Sequence, residues 1–414
     1  LSCPSIGFLN TCEAILLSRY LVKSMEYARD VVIVGGVRTA QGRFKGALFD
    51  TSAVDLGALA IKATLEQTKV DPEIIDEVIM GNVLSAGIGQ HPARQAALKA
   101  GIPERIPALT INKMCGSSMK AIMLAASSIR SGESDVMMVG GMESMSQAPF
   151  TVSRAKDGKV STEKPMDSMM VDGLIDPING MVMAQTGNRI AEKFNITRDE
   201  ADLFAIESHI RAHNAYKKGA FENYHIPVEH EEGILIKDEG IRPNSSLETL
   251  GKLKPVFDEN GIVTAGNASQ ISDGGAACLV MSREKAKELN LECLATITNY
   301  CAVGVPSEDV MSAPIPAVQK LWKMQGRNGQ QDYDLYEHNE AFATACLGVM
   351  QGLGLKHEKL NVHGGAVAMG HPLGASGCRI VLALIHALRA RRGKRGFATA
   401  CLGGGMATAI EIET

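Results

Sequence analysis

The sequence predicts a layered α/β protein built from two related halves with a loop-rich insertion in the first. Three observations carry that prediction. Short β-branched runs alternate with helical periods at both ends of the chain, which is the pattern of helices packed on a mostly parallel sheet. A faint internal repeat relates the ends: Gly116-Ser117-Ser118-Met119-Lys120 opens one helix as Ala375-Ser376-Gly377-Cys378-Arg379 opens another, and each helix precedes a strand that closes on consecutive glycines, Gly140-Gly141 and Gly403-Gly404. Composition fits, because 45% of the 414 residues are hydrophobic but only 4% aromatic, with 42 Gly and 20 Met, a mixture suited to close α/β packing.

In the first half, strands are expected at Val31–Val34, Glu77–Met80 and Asp135–Val139, with helices over Ala53–Gln67 and Ser118–Ser131. The second half repeats the scheme with strands at Ala295–Thr298, Asp334–Tyr336 and Ala398–Cys401 and helices over Ala317–Lys323 and Gly377–Arg391. Between them, about 142–271, the pattern breaks into loops, charged turns and one strong helix. That helix spans Arg198–Gly219, with Thr197 as N-cap, Glu200 closing a capping box and a glycine at its end. The expected division is a leader over 1–24, a first half over 25–290 carrying the insertion, and a second half over 291–414.

The leader precedes Met25, and the chain opens on Leu1. It reads as a disordered extension, with an organelle transit segment as the alternative because it holds Ser, Arg19 and Lys23 and few acids. Cytoplasm is therefore the expected location, or the mitochondrial matrix if the segment is a transit signal. The C-terminal Glu413-Thr414 carries no peroxisomal or retention address. No run of about 18 apolar residues suggests a membrane span.

A net charge of −4 argues against nucleic acid as a partner. The one basic run, Arg389-Ala390-Arg391-Arg392-Gly393-Lys394-Arg395, closes an apolar helix, where cations suit the carbonyl end; that reading is preferred to a binding patch. Nine cysteines are scattered without CxxC pairs or metal-ligand spacing, so a reducing compartment and no metal site are expected.

Four islands carry chemistry: Asn112–Ser118 around Cys115, Asn339-Glu340-Ala341-Phe342-Ala343, Gly370–Gly377 around His371, and Cys401-Leu402-Gly403-Gly404-Gly405. Cys115 stands just before a helix, where the dipole and a nearby imidazole would favour the thiolate. Taken alone it reads equally well as a small buried hydrophobe. His371 lies in a Gly-Pro-Gly turn from which its ring can point into a shared site, although a lone His-Pro turn is more often structural. Cys401 closes a strand ahead of three glycines whose N–H groups can approach an oxyanion. Asn339 starts a helix and, by itself, could simply be an N-cap.

Taken together, from about Asp30 to Thr414, these islands resemble the thiolase family in order and spacing. The resemblance implies thiolase-like duplicated α/β halves in a five-layered αβαβα arrangement with an inserted loop domain, assembled as homodimers or homotetramers. It implies that Cys115 accepts the acyl group, His371 activates it and Cys401 moves the α-proton. One oxygen hole would be His371 with a water held by Asn339, and another the N–H groups of Cys115 and Gly403. Coenzyme A would enter as substrate, with no permanently bound cofactor, against Arg242, Phe257, Ala265 and Ser269. Met183, Met311 and Phe342 match positions that line the acyl pocket in short-chain members. The implied reaction is reversible Claisen condensation of two acetyl-CoA to acetoacetyl-CoA and CoA. Alternatives are degradation of longer 3-oxoacyl-CoA and, more distantly, acyl-CoA binding without catalysis. Val182, Gln270, His338 and Ala407 depart from the short-chain pattern, and the Ser269-Gln270 pair resembles degradative members.

Overall fold

The computed structural model describes residues 29–414; the expectation for residues 1–24 lies outside them. Nine strands form the frame: β1 (Val31–Thr39), β2 (Glu77–Gly81), β3 (Ala108–Ile111), β4 (Val136–Ser144), β5 (Ser272–Ser282), β6 (Ala295–Gly304), β7 (Leu335–His338), β8 (Arg395–Leu402) and β9 (Met406–Glu413). The principal helices are α1 (Ala53–Thr68), α2 (Pro92–Lys99), α3 (Ser117–Ser131), α4 (Met183–Phe194), α5 (Arg198–Lys217), α6 (Pro314–Met324), α7 (Ala343–Leu353) and α8 (Ser376–Arg391).

The strand order is β7-β8-β9-β6-β1-β5-β4-β2-β3, and it contains one pattern twice. Reading outward from the β1–β6 seam, β1-β5-β4-β2-β3 is matched by β6-β9-β8-β7 and then Leu360, which forms a parallel bridge to Tyr336. Orientations match as well: β5 is antiparallel to β1 and β4 as β9 is to β6 and β8, while β4–β2 and β8–β7 are parallel. The seam itself is narrow, with Val32 opposite Thr296 and Ile33 opposite Ala295.

The strands are apolar on both faces, as burial between helical layers demands. Alternate residues go to different cores. Val32, Val34, Val78, Met80, Val136 and Met138 pack toward α1 and α2. Val31, Ile33, Ile79, Met137 and Val139 face α3 and α8, which lie between the two sheets. In the second half Ala398, Ala400 and Ile410 face the same central layer, whereas Tyr336, Phe397 and Ala409 face α6 and α7. The result is five layers, with α3 and α8 at the centre.

The matching pentapeptides sit at this centre. α3 starts at Ser117 and α8 at Ser376, and the Cys378 N–H donates to the Ser118 hydroxyl over 2.9 Å. Gly377 permits the crossing, since a Cβ there would lie 2.3 Å from the Met119 nitrogen. The Gly140-Gly141 expectation is corrected: these glycines do not end β4, which runs to Ser144. They are small because other backbone presses on them; a Cβ would meet Ala276 O at 2.1 Å and Gly374 O at 1.9 Å, respectively.

Between Ser144 and Ser272 the chain makes a long excursion that rejoins the sheet only where His225–Ile226 pairs with the end of β1; the corresponding link in the second half is the turn Gly403-Gly404-Gly405. α5 opens with the capping box, the Thr197 N–H donating to Glu200 over 2.7 Å. Such a cap is worth about 1 kcal/mol.

Candidate active site

Both halves send the ends of their central elements to one place. Cys115 sits two residues before α3, in a tight turn in which Met114 has φ of +49° and the Ser117 N–H bonds the Met114 carbonyl over 3.0 Å. A non-glycine residue in that region stores strain, which here holds the thiol clear of the helix. His371 lies in the loop ahead of α8, which begins at Ser376. Its backbone N–H donates to Gln270 O over 3.0 Å, and Gln270 is itself clamped by donating to Gly240, Val367 and Ala368 carbonyls.

Asn339 immediately follows β7, and Cys401 is the penultimate residue of β8. The expectation that Asn339 begins a helix is corrected: α7 begins at Ala343 with Phe342 as its cap residue. The preceding residues are drawn out because Glu340, at φ +56°, turns its buried carboxylate inward to accept from Ser208 Oγ, Asn361 Nδ2 and the Val367 N–H.

The hydrogen bonds assign the imidazole tautomer. Ser376 Oγ donates its proton to Pro372 O over 2.9 Å, so at 2.6 Å from His371 Nδ1 it accepts. Nδ1 therefore carries the proton and Nε2 presents a lone pair, to which Asn339 Nδ2 donates over 3.2 Å. The same amide reaches the Cys401 sulfur, and its Oδ1 is buried without a partner in the chain. Burial, aided by Arg379, pushes His371 down to about 3, so the ring rests neutral.

Cys115 differs from the simple helix-dipole expectation. Desolvation, then the neighbouring Cys401, pushes its thiol up, against the N–H groups of Cys115 and Gly403, which point at the sulfur and favour the anion. Burial likewise pushes Cys401 up to about 12. Both rest as thiols, and a proton must leave Cys115 as it attacks. The arrangement supplies an acceptor at His371 Nε2 and donors where charge would develop.

Two cavities meet here. The inner one, about 60 Å³, is lined by Cys115, Cys401, Gly403, His371, Met311 and Phe342, among others. The outer one, about 440 Å³, is lined by Arg242, Phe257, Ala265 and Val182. Met183, Ser269, Phe342 and His371 belong to both, forming the neck of a funnel. Every expected site residue is thus at the funnel, with Asn339 behind His371.

Residue reasoning did not single out Glu143 or Ser376. Glu143 is fully buried in β4 and accepts from Asn82 Nδ2 and the Val83, Leu84 and Gly374 N–H groups, tying the first half to the His371 loop. Desolvation pushes it up to about 7. A lone acid after Gly140-Gly141-Met142 was its only signal. Ser376 lay inside a recognised island, but its role needs the turn geometry.

In this fold, a funnel that ends on two thiols and an imidazole defines an acyltransferase whose groups suit thioester chemistry. The chain belongs to the thiolase family: the profile "Thiolase, N-terminal domain" matches residues 31–284 and "Thiolase, C-terminal domain" matches 291–414. It is 46% identical over 390 residues to an acetyl-CoA acetyltransferase of Cupriavidus necator, covering 93% of this chain and 99% of that protein. A probable acetyl-CoA acyltransferase of Staphylococcus aureus is 46% identical over 389 residues, covering 92% and 98%. Among solved structures, human mitochondrial 3-ketoacyl-CoA thiolase in complex with CoA superposes with a TM-score of 0.90 at 41% identity, covering 94% of this chain and 98% of that one. Bacillus anthracis acetyl-CoA acetyltransferase gives 0.89 at 38% identity, covering 93% and 99%.

Proposed function

We propose that this acyltransferase condenses two acetyl-CoA molecules to acetoacetyl-CoA and CoA, and runs thiolysis in reverse. The observation that carries the short-chain reading is the inner chamber. Its roughly 60 Å³ is small, which suits a short acyl group, and Met311 and Phe342 close it. The names of the Cupriavidus and Staphylococcus relatives point the same way.

In this reading Cys115 attacks the thioester as its proton passes to His371 Nε2. His371 keeps that proton until Cys115 is freed again, and the departing CoA thiolate takes the proton of Cys401, so that acyl-Cys115 and a Cys401 thiolate remain. The second acetyl-CoA loses an α-proton to Cys401, its enolate oxygen held by His371 and a water on Asn339. Its carbanion then attacks acyl-Cys115, whose oxygen meets the N–H groups of Cys115 and Gly403, releasing the product. Coenzyme A is substrate here, not a resident cofactor, with Arg242 serving its phosphate or adenine end and Phe257, Ala265 and Ser269 its pantetheine arm.

A second reading, degradation of longer 3-oxoacyl-CoA, is favoured by the Ser269-Gln270 pair and by the likeness to human 3-ketoacyl-CoA thiolase. Thiolysis of acetoacetyl-CoA beside 3-oxooctanoyl-CoA, followed by loss of enolate absorbance, separates the two. A higher kcat/KM for the eight-carbon substrate would overturn the first reading. Turnover of neither would leave a binding protein.

The proposed division is 25–290, carrying the 142–271 insertion, and 291–414. Assembly as a homodimer is supported by β3, which among the described residues pairs only with β2 and leaves Leu109 exposed; Phe150 and Val160, 69% and 71% exposed, offer contacts for a tetramer. Light scattering reads the outcome. No helix among the described residues is long and apolar enough to cross a membrane. We place the protein in the cytoplasm, or in the mitochondrial matrix if residues 1–24 direct it there; the seven described cysteines are all free, in keeping with a reducing compartment.

A further inference from the structure

Away from the thioester funnel lies an open cleft of about 1120 Å³ that shares no lining residue with the two cavities above. It forms where the end of α5, the last turns of α8 and the 291–294 connection between the halves come together.

Its charge is unbalanced. Arg211, Lys218, Arg389 and Arg391 line it, against Glu292 and Glu358. Arg389 is paired with Glu292, and Arg211 with Glu207, the latter also donating to the His357 and Leu360 carbonyls. Lys218 and Arg391 have no ionic or hydrogen-bond partner among the described residues. Burial and the adjacent Arg211 cation both push Arg391 down from the usual guanidinium value.

Two imidazoles complete the wall. His386 stacks on Tyr224 at 4.3 Å between centroids, and His363 meets Phe221 edge-on at 5.9 Å, so aromatic packing fixes both rings. His363 Nδ1 and His386 Nε2 are buried and unpartnered. Burial comes first and nearby cations second, Arg391 and Lys218 for His363 and Arg389 for His386, in pushing both rings down to about 4. At neutral pH they are uncharged and can offer hydrogen bonds without adding to the repulsion.

Stabilising the carbonyl end of α8 explains cations on that helix. The same effect accounts for Lys218 at the carbonyl end of α5, but not for ring nitrogens left unsatisfied beside guanidinium groups. Such groups cost free energy when unpaired, and an anion would satisfy all of them together.

We propose that this cleft binds a small multivalent anion, an oligophosphate or a polycarboxylate, through Lys218, Arg391, His363 and His386. The guanidinium fork suits the oxygen pairs of either chemistry, and the cleft has the size of a small-molecule site.

The test is calorimetric titration of the whole protein with inorganic pyrophosphate and, separately, with citrate at constant ionic strength. One saturable site per chain is expected. The Lys218→Ala/Arg391→Ala variant should bind at least about tenfold more weakly, since charge-assisted contacts are lost. Its thiolysis rate should stay within about twofold of the parent, which shows that it is folded; Arg391→Lys should lose less than Arg391→Ala. Arg242→Ala should bind the anion as the parent does. Tighter pyrophosphate binding identifies a phosphate ligand and tighter citrate binding a polycarboxylate; either supports the site. No saturable binding, unchanged affinity in the double variant, or loss of binding in Arg242→Ala, which would put the anion in the thioester funnel, each overturns it.

Discussion

At the residue scale, the site rests on which atom holds each proton. Ser376 spends its hydrogen on Pro372 and so obliges His371 to keep its own on Nδ1. Ser376→Ala removes that acceptor and frees the ring to take the wrong tautomer. We expect kcat to fall by about 10- to 100-fold, a part of the roughly 10²–10⁴-fold that a positioned general base contributes, with KM for CoA within about twofold; a merely structural lesion would move both. Cys401→Ala should abolish condensation while radiolabelled acetyl groups still load onto Cys115 from acetyl-CoA. Loss of loading as well would show that the second thiol does more than move the α-proton. Little of this was legible in the residue types. Cys115, His371 and Cys401 stand out because small residues flank them, whereas Glu143 holds four donors brought from two separated segments, which no local pattern encodes.

At the element scale, the alternation of strand and helix was readable because period-2 and period-3.6 burial leave their marks within single segments. Which glycines end an element and which let two elements touch was not. Gly140, Gly141 and Gly377 all answer to backbone from distant segments. Gly377→Ala should therefore destabilise by about 1–3 kcal/mol through overpacking at the α3–α8 crossing, seen as a lower urea midpoint with an unchanged m-value. If the midpoint holds, the helices have slack that the 2.3 Å approach denies. Asn339 misled for a related reason: an Asn after a strand is the common N-cap, but the buried Glu340 carboxylate and its three donors pull the chain away before α7 can start.

At the scale of the whole molecule, burial of many titratable groups sets how stability follows pH. His209, His225, His338, His363 and His386 are pushed down to about 4 and His371 to about 3, all chiefly by burial. Free imidazoles in the unfolded chain take protons below about 6.5 while the folded ones do not, so stability is lost as pH falls through that window. Glu143, Glu337 and Asp273 are raised to about 7, 8 and 6, and Glu340 is raised too, again by burial. These act oppositely, contributing stability at low pH that is lost as pH rises. The imidazoles outnumber the carboxyls, so stability should climb from pH 4.5 to about 6.5, then decline toward pH 8 as Glu143 and Glu337 give up their protons in the folded state. Urea midpoints across pH 4.5–8.5 check this; a flat or monotonic profile would contradict it. The doubled strand order was foreshadowed only by a five-residue match, because sheet pairing joins residues hundreds apart and leaves no short-range trace.

The seam between the halves has a mechanical consequence. Cys115 and His371 stand in loops of two repeats that meet at the two seam pairings, at the α3–α8 crossing and where the Glu143 carboxylate holds the Gly374 N–H. Proton transfer works only within hydrogen-bond reach, so turnover acts as a strain gauge on that joint. A parting of an ångström, too slight to register as melting, would idle the enzyme, and either repeat by itself would be half of a reagent pair with nothing to react against.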